Sequence, residues 1–227
     1  MLFTELTKKA IDICLEAHKG QRDKGNLPYA LHPFHLADQM KTEAETCTAL
    51  LHDVKEDAPW AYDKYVAGKF PTEVIEALQL LTHDKDTDYL EYVERLSGNR
   101  LAARVKLADL RHNSTPGRKT PFTDRDRKRL QKYLKAQAIL TGGEYDLEEM
   151  TLSLRYEIPP LAAAEKENAV ENAGLTIVHE PDGSVRRYEV TLPDAQRVQE
   201  FQEYFPLLSF LEKSGYSAAY AASLLCK

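Results

Sequence analysis

The stretch Thr48-Ala-Leu-Leu-His-Asp-Val-Lys-Glu-Asp57 decides how the rest of the chain is interpreted, because it joins an apolar run to a group of polar residues. His52 and Asp53 are adjacent, and Glu56 and Asp57 follow one helical turn later. Burying an unpaired polar group in a helical core is expensive, and burying an unpaired charge costs much more. A bound divalent cation would satisfy both His52 and Asp53, and would leave Glu56 or Asp57 to handle a water molecule.

Two residues elsewhere in the chain extend this into a candidate metal site. His32 precedes Pro33, a residue suited to the first turn of a helix, and Asp109 lies just past the apolar face of a helical pattern over residues 100–109. The predicted metal ligands are His32, His52, Asp53 and Asp109. Two nitrogen and two oxygen ligands from three helices suit Mn²⁺, Fe²⁺ or Zn²⁺ better than Ca²⁺.

Each of these residues also has an ordinary structural interpretation when it is taken alone. His32 could cap a helix, Asp109 could be a surface acid, and Glu56 and Asp57 could form a solvated helix end. In the functional interpretation, Glu56 lies one turn after His52 and acts as general acid or base on a water at the metal. The combination of residues, together with the motifs around them, favours the functional interpretation.

The composition is that of an ordinary globular protein. The chain has 227 residues, of which 43% are hydrophobic and 29% charged. We expect no membrane span, because no apolar stretch reaches about 18 residues, and the N-terminus lacks the features of a signal peptide. Three widely spaced cysteines, Cys14, Cys47 and Cys226, form no CxxC motif. They favour a reducing environment, and we predict a cytoplasmic protein.

The formal net charge of −6 argues against a nucleic-acid partner, because a phosphate backbone requires a basic face. A small anionic substrate remains compatible with this charge, since a metal or a local group of cations is enough to bind it. The sequence leaves the oligomeric state open, with a homo-oligomer as one possibility.

The pattern of hydrophobic and polar residues changes near residue 141. Helical periodicity dominates up to that point, and Thr141-Gly-Gly143 ends it. Residues 146–170 have a poorly patterned helical character. Residues 175–192 alternate in two runs around the turn signal Pro181-Asp-Gly-Ser184, which predicts a β-hairpin. A last helical region is expected over about 194–225, with a break at Ser214-Gly215.

Four blocks of sequence resemble the signature blocks of HD-domain phosphohydrolases, in the same order and with similar spacing over about residues 5–140. More narrowly, they are similar to small alarmone hydrolases and to the (p)ppGpp hydrolase domain of RelA/SpoT proteins. The blocks are Ala17-His-Lys-Gly-Gln21, Pro28-Tyr-Ala-Leu-His-Pro33, Ala49-Leu-Leu-His-Asp-Val-Lys-Glu-Asp57 and Val105-Lys-Leu-Ala-Asp-Leu-Arg-His-Asn113.

The resemblance implies a helical HD-domain bundle, which we place over residues 1–141. The sequence pattern itself predicts a small C-terminal α/β annex over 142–227 that contains one β-hairpin and resembles no family we can name, so the expected fold class is mainly α. The resemblance also implies Mn²⁺-dependent, or other divalent-metal-dependent, removal of the 3′-pyrophosphate of (p)ppGpp, giving GDP or GTP and pyrophosphate. By position, Glu56 and Asp57 match the acidic pair that handles the water. The matching substrate-binding positions are Lys24, Lys106 and Asn113, with Arg22 as a further cation.

One departure from the family pattern concerns the base of the nucleotide. The family has an adjacent Arg-Lys pair after Gly-Gln, whereas here Asp23 stands at the arginine position and Arg22 one place earlier. An acid there is a poor stacking surface and repels phosphate. Two alternatives to alarmone hydrolysis therefore stay open: an HD-type phosphohydrolase acting on another nucleotide, and a non-catalytic regulatory module that retains the HD fold.

Overall fold

The structure is a computed structural model that describes residues 1–114, 123–158, 172–181, 184–193 and 198–225. The chain divides into two compact units, Met1–Leu140 and Thr141–Lys227. We refer to them as the helical unit and the sheet unit. In the part of the chain that is described, no helix is both long enough and apolar enough to cross a membrane.

The helical unit is built of helices, and residues 115–122 before its last helix lie outside the described part. Its elements are α1 (Glu5–Ala17), α2 (Leu31–Asp38), α3 (Glu43–Leu51), α4 (Val54–Asp57), α5 (Pro59–Ala61), a π-helical turn (Tyr62–Val66), α6 (Thr72–Leu81), α7 (Tyr89–Ser97), α8 (Arg100–Ser114) and α9 (Asp124–Thr141), whose last residue already belongs to the sheet unit.

Side-chain caps fix where several of these helices begin. Thr4 and Thr42 accept a backbone N–H from the third helical residue of α1 and α3 and form capping boxes. The Asp88 carboxylate accepts backbone N–H groups at the start of α7. These polar residues satisfy donors that have no partner within the helix.

Helix α3 lies at the centre of the helical unit, where it contacts α1, α2, α6 and α8. Its side chains Cys47, Ala49, Leu50 and Leu51 are fully buried. The central position matters for the site, because the helix ends directly at His52. The apolar run of the opening motif therefore anchors the polar residues that follow it.

The sequence pattern predicts one helix over about residues 45–57, but the structure interrupts it at the polar pair His52-Asp53. α3 ends at Leu51, His52 is its C-terminal cap, and Asp53 with φ −97° and ψ −6° precedes α4. Because the helix is interrupted here, the side chains of His52 and Asp53 do not point in the directions that consecutive residues of a regular helix have. Both side chains can therefore face the same point.

The sheet unit contains a five-stranded antiparallel sheet in which each strand pairs with the next along the chain. Its strands are β1 (Glu144–Asp146), β2 (Thr151–Ile158), β3 (Ala173–His179), β4 (Val185–Thr191) and β5 (Gln199–Phe201). β3 and β4 form the predicted antiparallel pair, with Leu175 opposite Val190. Residues 182–183 of the predicted turn lie outside the described residues.

The predicted fold class is wrong, because the chain is not a helical bundle with a single hairpin. Residues 151–158 lie in β2 where a helix was expected over 146–170, and residues 159–170 of that stretch lie outside the described part. β1 and β5 are three residues long, which is too short to produce a recognisable alternation. Their pairing with longer neighbours makes them strands.

Two helices, α10 (Tyr204–Lys213) and α11 (Ala218–Leu225), complete the sheet unit. The break expected at Ser214-Gly215 is present, since Ser214 caps α10 and Gly215 has φ +83°, a conformation that glycine adopts without steric cost. Leu207 and Leu211 of α10 pack in one core with Leu175, Ile177 and Val190 of the sheet.

Candidate metal centre

Two imidazoles and a carboxylate from three separate helical segments converge in the helical unit. His32 lies in α2, His52 follows α3, and Asp109 lies in α8. One ligand atom from each lies within 4.8 Å of the other two, and all three residues are buried. His32 Nε2 is 3.1 Å from Asp109 Oδ1. Buried groups of these types at this spacing could hold a divalent metal ion.

Asp53 lies next to the point at which His32, His52 and Asp109 converge. Its Oδ2 is 2.9 Å from His52 Nε2 and 4.0 Å from His32 Nε2. The hydroxyl of Tyr29 donates a hydrogen bond to that oxygen. Tyr29 thereby orients the carboxylate, and the second oxygen of Asp53 stays available for another contact.

The hydrogen bonding of His52 suits a metal ligand. Its Nδ1–H donates to the carbonyl oxygen of Ala49 at 2.8 Å, so Nε2 is the ring nitrogen that faces Asp53 and could bind a metal ion. This Nε2 is buried and has no hydrogen-bond partner among the described residues, although it lies 2.9 Å from the oxygen of Asp53. A cation between the two atoms would satisfy both, so the residues fit the group that the sequence predicts.

His32 is oriented by a second histidine. His32 Nδ1 and His112 Nδ1 are 2.6 Å apart, and the two rings are nearly parallel with an interplanar angle of 9°. The two Nδ1 atoms share one hydrogen bond, and with a cation at Nε2 of His32 the donor in this bond would be Nδ1–H of His32. The ring centroid of His35 lies 4.1 Å from that of His112. This arrangement fixes the ring orientation of His32 in the same way as the backbone carbonyl fixes that of His52.

The electrostatics of the centre favour a positive charge at its middle. Burial opposes the ionisation of Asp53, but the neighbouring His52 outweighs it and lowers the Asp53 pKa to about 2. Burial likewise opposes protonation of His52, yet Asp53 raises the His52 pKa to about 9. The carboxylates of Asp53 and Asp109 are therefore ionised at neutral pH. Without a metal, the protonated imidazole of His52 compensates part of their negative charge.

Asp109 is held by residues of its own helix. Lys106 Nζ donates to Oδ2 at 2.9 Å, and Asn113 Nδ2 donates to Oδ1 at 2.5 Å. Burial would raise the pKa of Asp109, but Lys106 holds it well below its usual range. Lys106 also lies near the rings of Tyr89 and Tyr92 and is largely covered. The structure thus places Lys106, predicted to bind substrate, beside the predicted metal ligand Asp109.

The predicted acidic pair lies at the end of α4. Glu56 Oε1 accepts the backbone N–H of His83 at 2.6 Å, and loss of hydration raises the pKa of Glu56. Asp57 Oδ2 accepts from Gln21 Nε2 at 2.9 Å and lies 3.9 Å from His18 Nδ1. Asp57 is therefore tied to the loop after α1, whereas Glu56 keeps one carboxylate oxygen for another partner.

A cleft of about 310 Å³ lies beside the candidate metal centre, and His32 forms part of its wall. Arg22, Lys24 and Asn113, three of the four predicted substrate-binding residues, line it, and Lys106 is not among its lining residues in the described part of the chain. The other lining residues are Gln21, Asp23, Gly25, Tyr29, Arg129 and Tyr133.

Asp23 has a structural role in the loop that forms one wall of the cleft. Its Oδ1 accepts the backbone N–H groups of Gly25 and Leu27, each at 2.9 Å. Arg22 donates from Nη1 to the carbonyl oxygen of Asn26 at 3.0 Å. The carboxylate thus closes a tight turn, a task for which aspartate is well suited.

Sequence reasoning missed several residues that complete this region. Tyr29 and His112 stand inside the quoted motifs, so their proximity to the ligands along the chain was a usable signal. Arg129 and Tyr133 line the cleft from α9, and no motif in the sequence singled them out. Their contribution depends on how α9 folds back on the unit.

Comparison with known proteins places this geometry in context. Over 120 residues the chain is 33% identical to the bifunctional (p)ppGpp synthase/hydrolase SpoT of Escherichia coli K12. The same identity holds for guanosine-3′,5′-bis(diphosphate) 3′-pyrophosphohydrolases of Escherichia coli O157:H7 and Shigella flexneri. The match covers 47% of this chain and 17% of each relative's length. No family model matches the chain. The relationship to alarmone hydrolases that the motifs indicated is thereby confirmed.

Proposed function

We propose that the chain is a metal-dependent phosphohydrolase that removes the 3′-pyrophosphate of (p)ppGpp, giving GDP or GTP and pyrophosphate. The observation that carries this proposal is the convergence of His32, His52 and Asp109, buried and within 4.8 Å of one another, beside a cleft lined by cations. The 33% identity to proteins named for this reaction supports it.

In this proposal His32, His52, Asp53 and Asp109 hold a divalent transition metal, Mn²⁺ by preference. Mixed imidazole and carboxylate donors suit such an ion. When bound, the ion supplies Lewis-acid chemistry, which lowers the pKa of a coordinated water and neutralises phosphate charge. The protein's contribution is to fix the donors: Ala49 orients His52, His112 orients His32, and Lys106 with Asn113 orients Asp109.

Glu56 accepts the proton of the attacking water. Its Oε1 is fixed by the N–H of His83, which leaves the other oxygen for the water, and its raised pKa brings it nearer to neutral pH than an ordinary glutamate. Asp57, held by Gln21, keeps the end of α4 against the loop after α1. Glu56 therefore takes the proton, and Asp57 positions the end of α4.

Arg22, Lys24 and Asn113 bind the nucleotide in the cleft. Two cations beside a metal centre suit a substrate with several phosphate groups, since charge-assisted hydrogen bonds to phosphate are among the strongest that side chains make. The chemical step breaks the ester bond between the 3′ oxygen and the pyrophosphate, with water supplying the new oxygen on phosphorus.

A second candidate function is hydrolysis of another nucleotide at the same metal centre. The observation that favours it is Asp23, whose carboxylate is engaged with Gly25 and Leu27 and provides no cation to stack on a guanine base. Under this alternative the metal ligands and Glu56 keep their roles. Only the recognition of the base changes.

The decisive experiment incubates Mn²⁺-loaded protein with ppGpp, pppGpp, GTP, deoxynucleoside triphosphates and nucleoside monophosphates in parallel. Pyrophosphate released from ppGpp and pppGpp, with little turnover of the others, is the expected result. Turnover of another nucleotide with ppGpp intact would select the second candidate. Metal bound at one equivalent without turnover of any nucleotide would reject both and favour a regulatory module.

A further inference from the structure

His18, the histidine of the block Ala17-His-Lys-Gly-Gln21, has no part in the proposed chemistry, yet it is buried in the helical unit. It is the C-terminal cap of α1, and its side chain is fully covered. Burying a polar ring reduces stability unless the ring makes a hydrogen bond. The partner that the ring has therefore indicates what the residue does.

Two consecutive hydrogen bonds join His18 to the acid at the end of α4. Nδ1 of His18 lies 2.7 Å from Oε1 of Gln21, and Nε2 of Gln21 donates to Oδ2 of Asp57 at 2.9 Å. We refer to these three residues as the His18 network. Its middle member also lines the cleft of the candidate metal centre. The network thus reaches from the interior of the helical unit to the edge of the candidate site.

The chemistry of the groups fixes the direction of both bonds. An ionised carboxylate can only accept a hydrogen bond, so Gln21 turns its amide nitrogen toward Asp57 and its oxygen toward His18. Since the amide oxygen also accepts only, Nδ1 of His18 carries the hydrogen in this bond. A residue without a donor at that place would leave the amide of Gln21 free to rotate away from Asp57.

The backbone around the network keeps Gln21 in place independently of its side chain. Its N–H donates to the carbonyl oxygen of His18 at 3.1 Å, and its carbonyl oxygen accepts the N–H of Tyr29 at 3.0 Å. The rings of His18 and Tyr29 pack against each other, with their centroids 4.9 Å apart. Loss of the His18 hydrogen bond would therefore release the amide of Gln21 without displacing the backbone.

Helix α4 depends on such external contacts, because it has only four residues. A helix of this length is not stable by itself. The N–H of His83 holds Glu56 at 2.6 Å, and the His18 network holds Asp57. The two acids are adjacent in this single turn, so a change in the position of Asp57 also changes the orientation of Glu56.

Packing alone does not explain a histidine at position 18. Its second ring nitrogen, Nε2, is buried and has no hydrogen-bond partner among the described residues. A buried polar atom without a partner destabilises a fold, and an apolar side chain of similar size would avoid that loss. The benefit of the histidine therefore lies in the hydrogen bond of Nδ1.

We propose that His18 is a positioning residue for the hydrolysis. Through the amide of Gln21 it fixes Asp57, and with Asp57 the orientation of α4 that presents Glu56 to the attacking water. This inference rests on the proposed function, which assigns the proton of that water to Glu56. His18 itself acts from behind the site and contacts neither the metal ligands nor the substrate.

The kinetic test compares three substitutions of His18 in the Mn²⁺-loaded protein, with ppGpp as substrate. His18→Asn keeps an N–H near the position of Nδ1, His18→Gln moves the N–H outward to the position of Nε2, and His18→Leu removes it. We expect kcat to fall by about 10- to 100-fold in His18→Leu and His18→Gln and to stay within about threefold of the wild type in His18→Asn. Metal content after dialysis should be unchanged in all three.

Two further measurements distinguish positioning from a merely structural role. The urea midpoint of His18→Leu should equal or exceed that of the wild type, because this variant has no unpartnered ring nitrogen. In a double-mutant cycle on kcat, His18→Leu should have little effect once Asp57→Ala has removed the far end of the network.

Four results would overturn the inference. These are wild-type kcat in all three variants, a His18→Asn variant as slow as His18→Leu, a loss of stability that parallels the loss of kcat, and additive effects in the cycle. Each of them can be observed only if the wild type hydrolyses ppGpp, so each would leave the proposed function standing.

A measurement without turnover tests the network itself. In the metal-free protein, ¹⁵N NMR of the histidine rings should place a hydrogen on Nδ1 of His18, whose signals are identified by their absence from His18→Asn. A hydrogen on Nε2 alone would contradict the network. If the hydrogen is on Nδ1 but the wild type hydrolyses no nucleotide, the proposed function is rejected together with the positioning role, and the network is a structural link between α1 and α4.

Discussion

In the helical unit, imidazole and carboxylate side chains are buried, including those of His18, His32, His52 and Asp109, whereas among the described residues of the sheet unit Thr151 is the one buried polar side chain. Buried polar groups reduce stability unless their partners are well placed, and buried charges do so more strongly. The proposed metal site in the helical unit would account for this contrast. The sheet unit uses its interior for packing.

The largest expected effect is that of Asp109→Ala in the helical unit. The substitution leaves Lys106 buried without its carboxylate and would take one donor from the proposed metal site. Since losing a residue that merely orients a ligand costs about 10- to 100-fold in metal affinity or activity, losing the ligand should cost about 1,000-fold or more. Metal content after dialysis and turnover of ppGpp measure the effect.

Asp12→Ala, which removes an exposed carboxylate from α1, is the control and should retain metal and activity. If Asp109→Ala hydrolysed ppGpp at the wild-type rate without bound metal, the metal centre would have no part in the mechanism. The contrast between the two units would then have no chemical basis.

Glu56→Gln tests two roles of the helical unit one at a time, because it separates metal binding from proton transfer. The amide preserves shape and one acceptor but cannot take a proton, so kcat should fall by about 10²- to 10⁴-fold with metal content unchanged. Because the base must be deprotonated and its pKa is raised, wild-type kcat should rise with pH through the pKa of Glu56. The variant should lack this rise.

Glu73→Gln in the first turn of α6 is the matched control, since its carboxylate is exposed. Loss of metal from Glu56→Gln would make Glu56 a metal ligand and would reassign the proton acceptor.

Leu211→Ala tests the packing role of the sheet unit. Leu211 is fully buried in the core formed by α10 and the sheet, and its truncation should destabilise that unit by about 2–5 kcal/mol. Urea unfolding measures the loss, and metal content and ppGpp turnover below the transition should stay at wild-type values. The matched variant Leu50→Ala truncates the core of the helical unit and should reduce both metal content and turnover.

If Leu211→Ala released the metal as readily as Leu50→Ala, the division between a chemical unit and a packing unit would be incorrect.

The smallest expected effect concerns Asp23 in the loop of the cleft. Asp23→Ala removes the acceptor of two backbone N–H groups and should raise the KM for the nucleotide by roughly tenfold with little change in kcat. Asp23→Asn keeps an acceptor oxygen and should stay within about twofold of the wild type. Steady-state kinetics on ppGpp distinguish these outcomes. Equal effects of the two substitutions would assign the role of Asp23 to its charge.

Much of the helical unit could be predicted from local sequence. The first residues of α1 and α3 follow from the N-terminal caps at Thr4 and Thr42, because capping depends on residues within one turn. The β3–β4 pair followed from alternation around a turn signal. The complete sheet could not be predicted, because β1 and β5 are defined by pairing with a neighbour and carry too few residues for a pattern.

The sequence by itself determined which residue types were available for the metal centre, since His32, His52, Asp53 and Asp109 stand out as polar groups next to apolar helix faces. Only the tertiary structure decided what surrounds them. His112 meets His32 across 80 residues of chain, and Arg129 reaches the cleft from α9. Such contacts depend on how the helices pack, because spacing along one helix specifies its face but not the residues of other helices that this face meets.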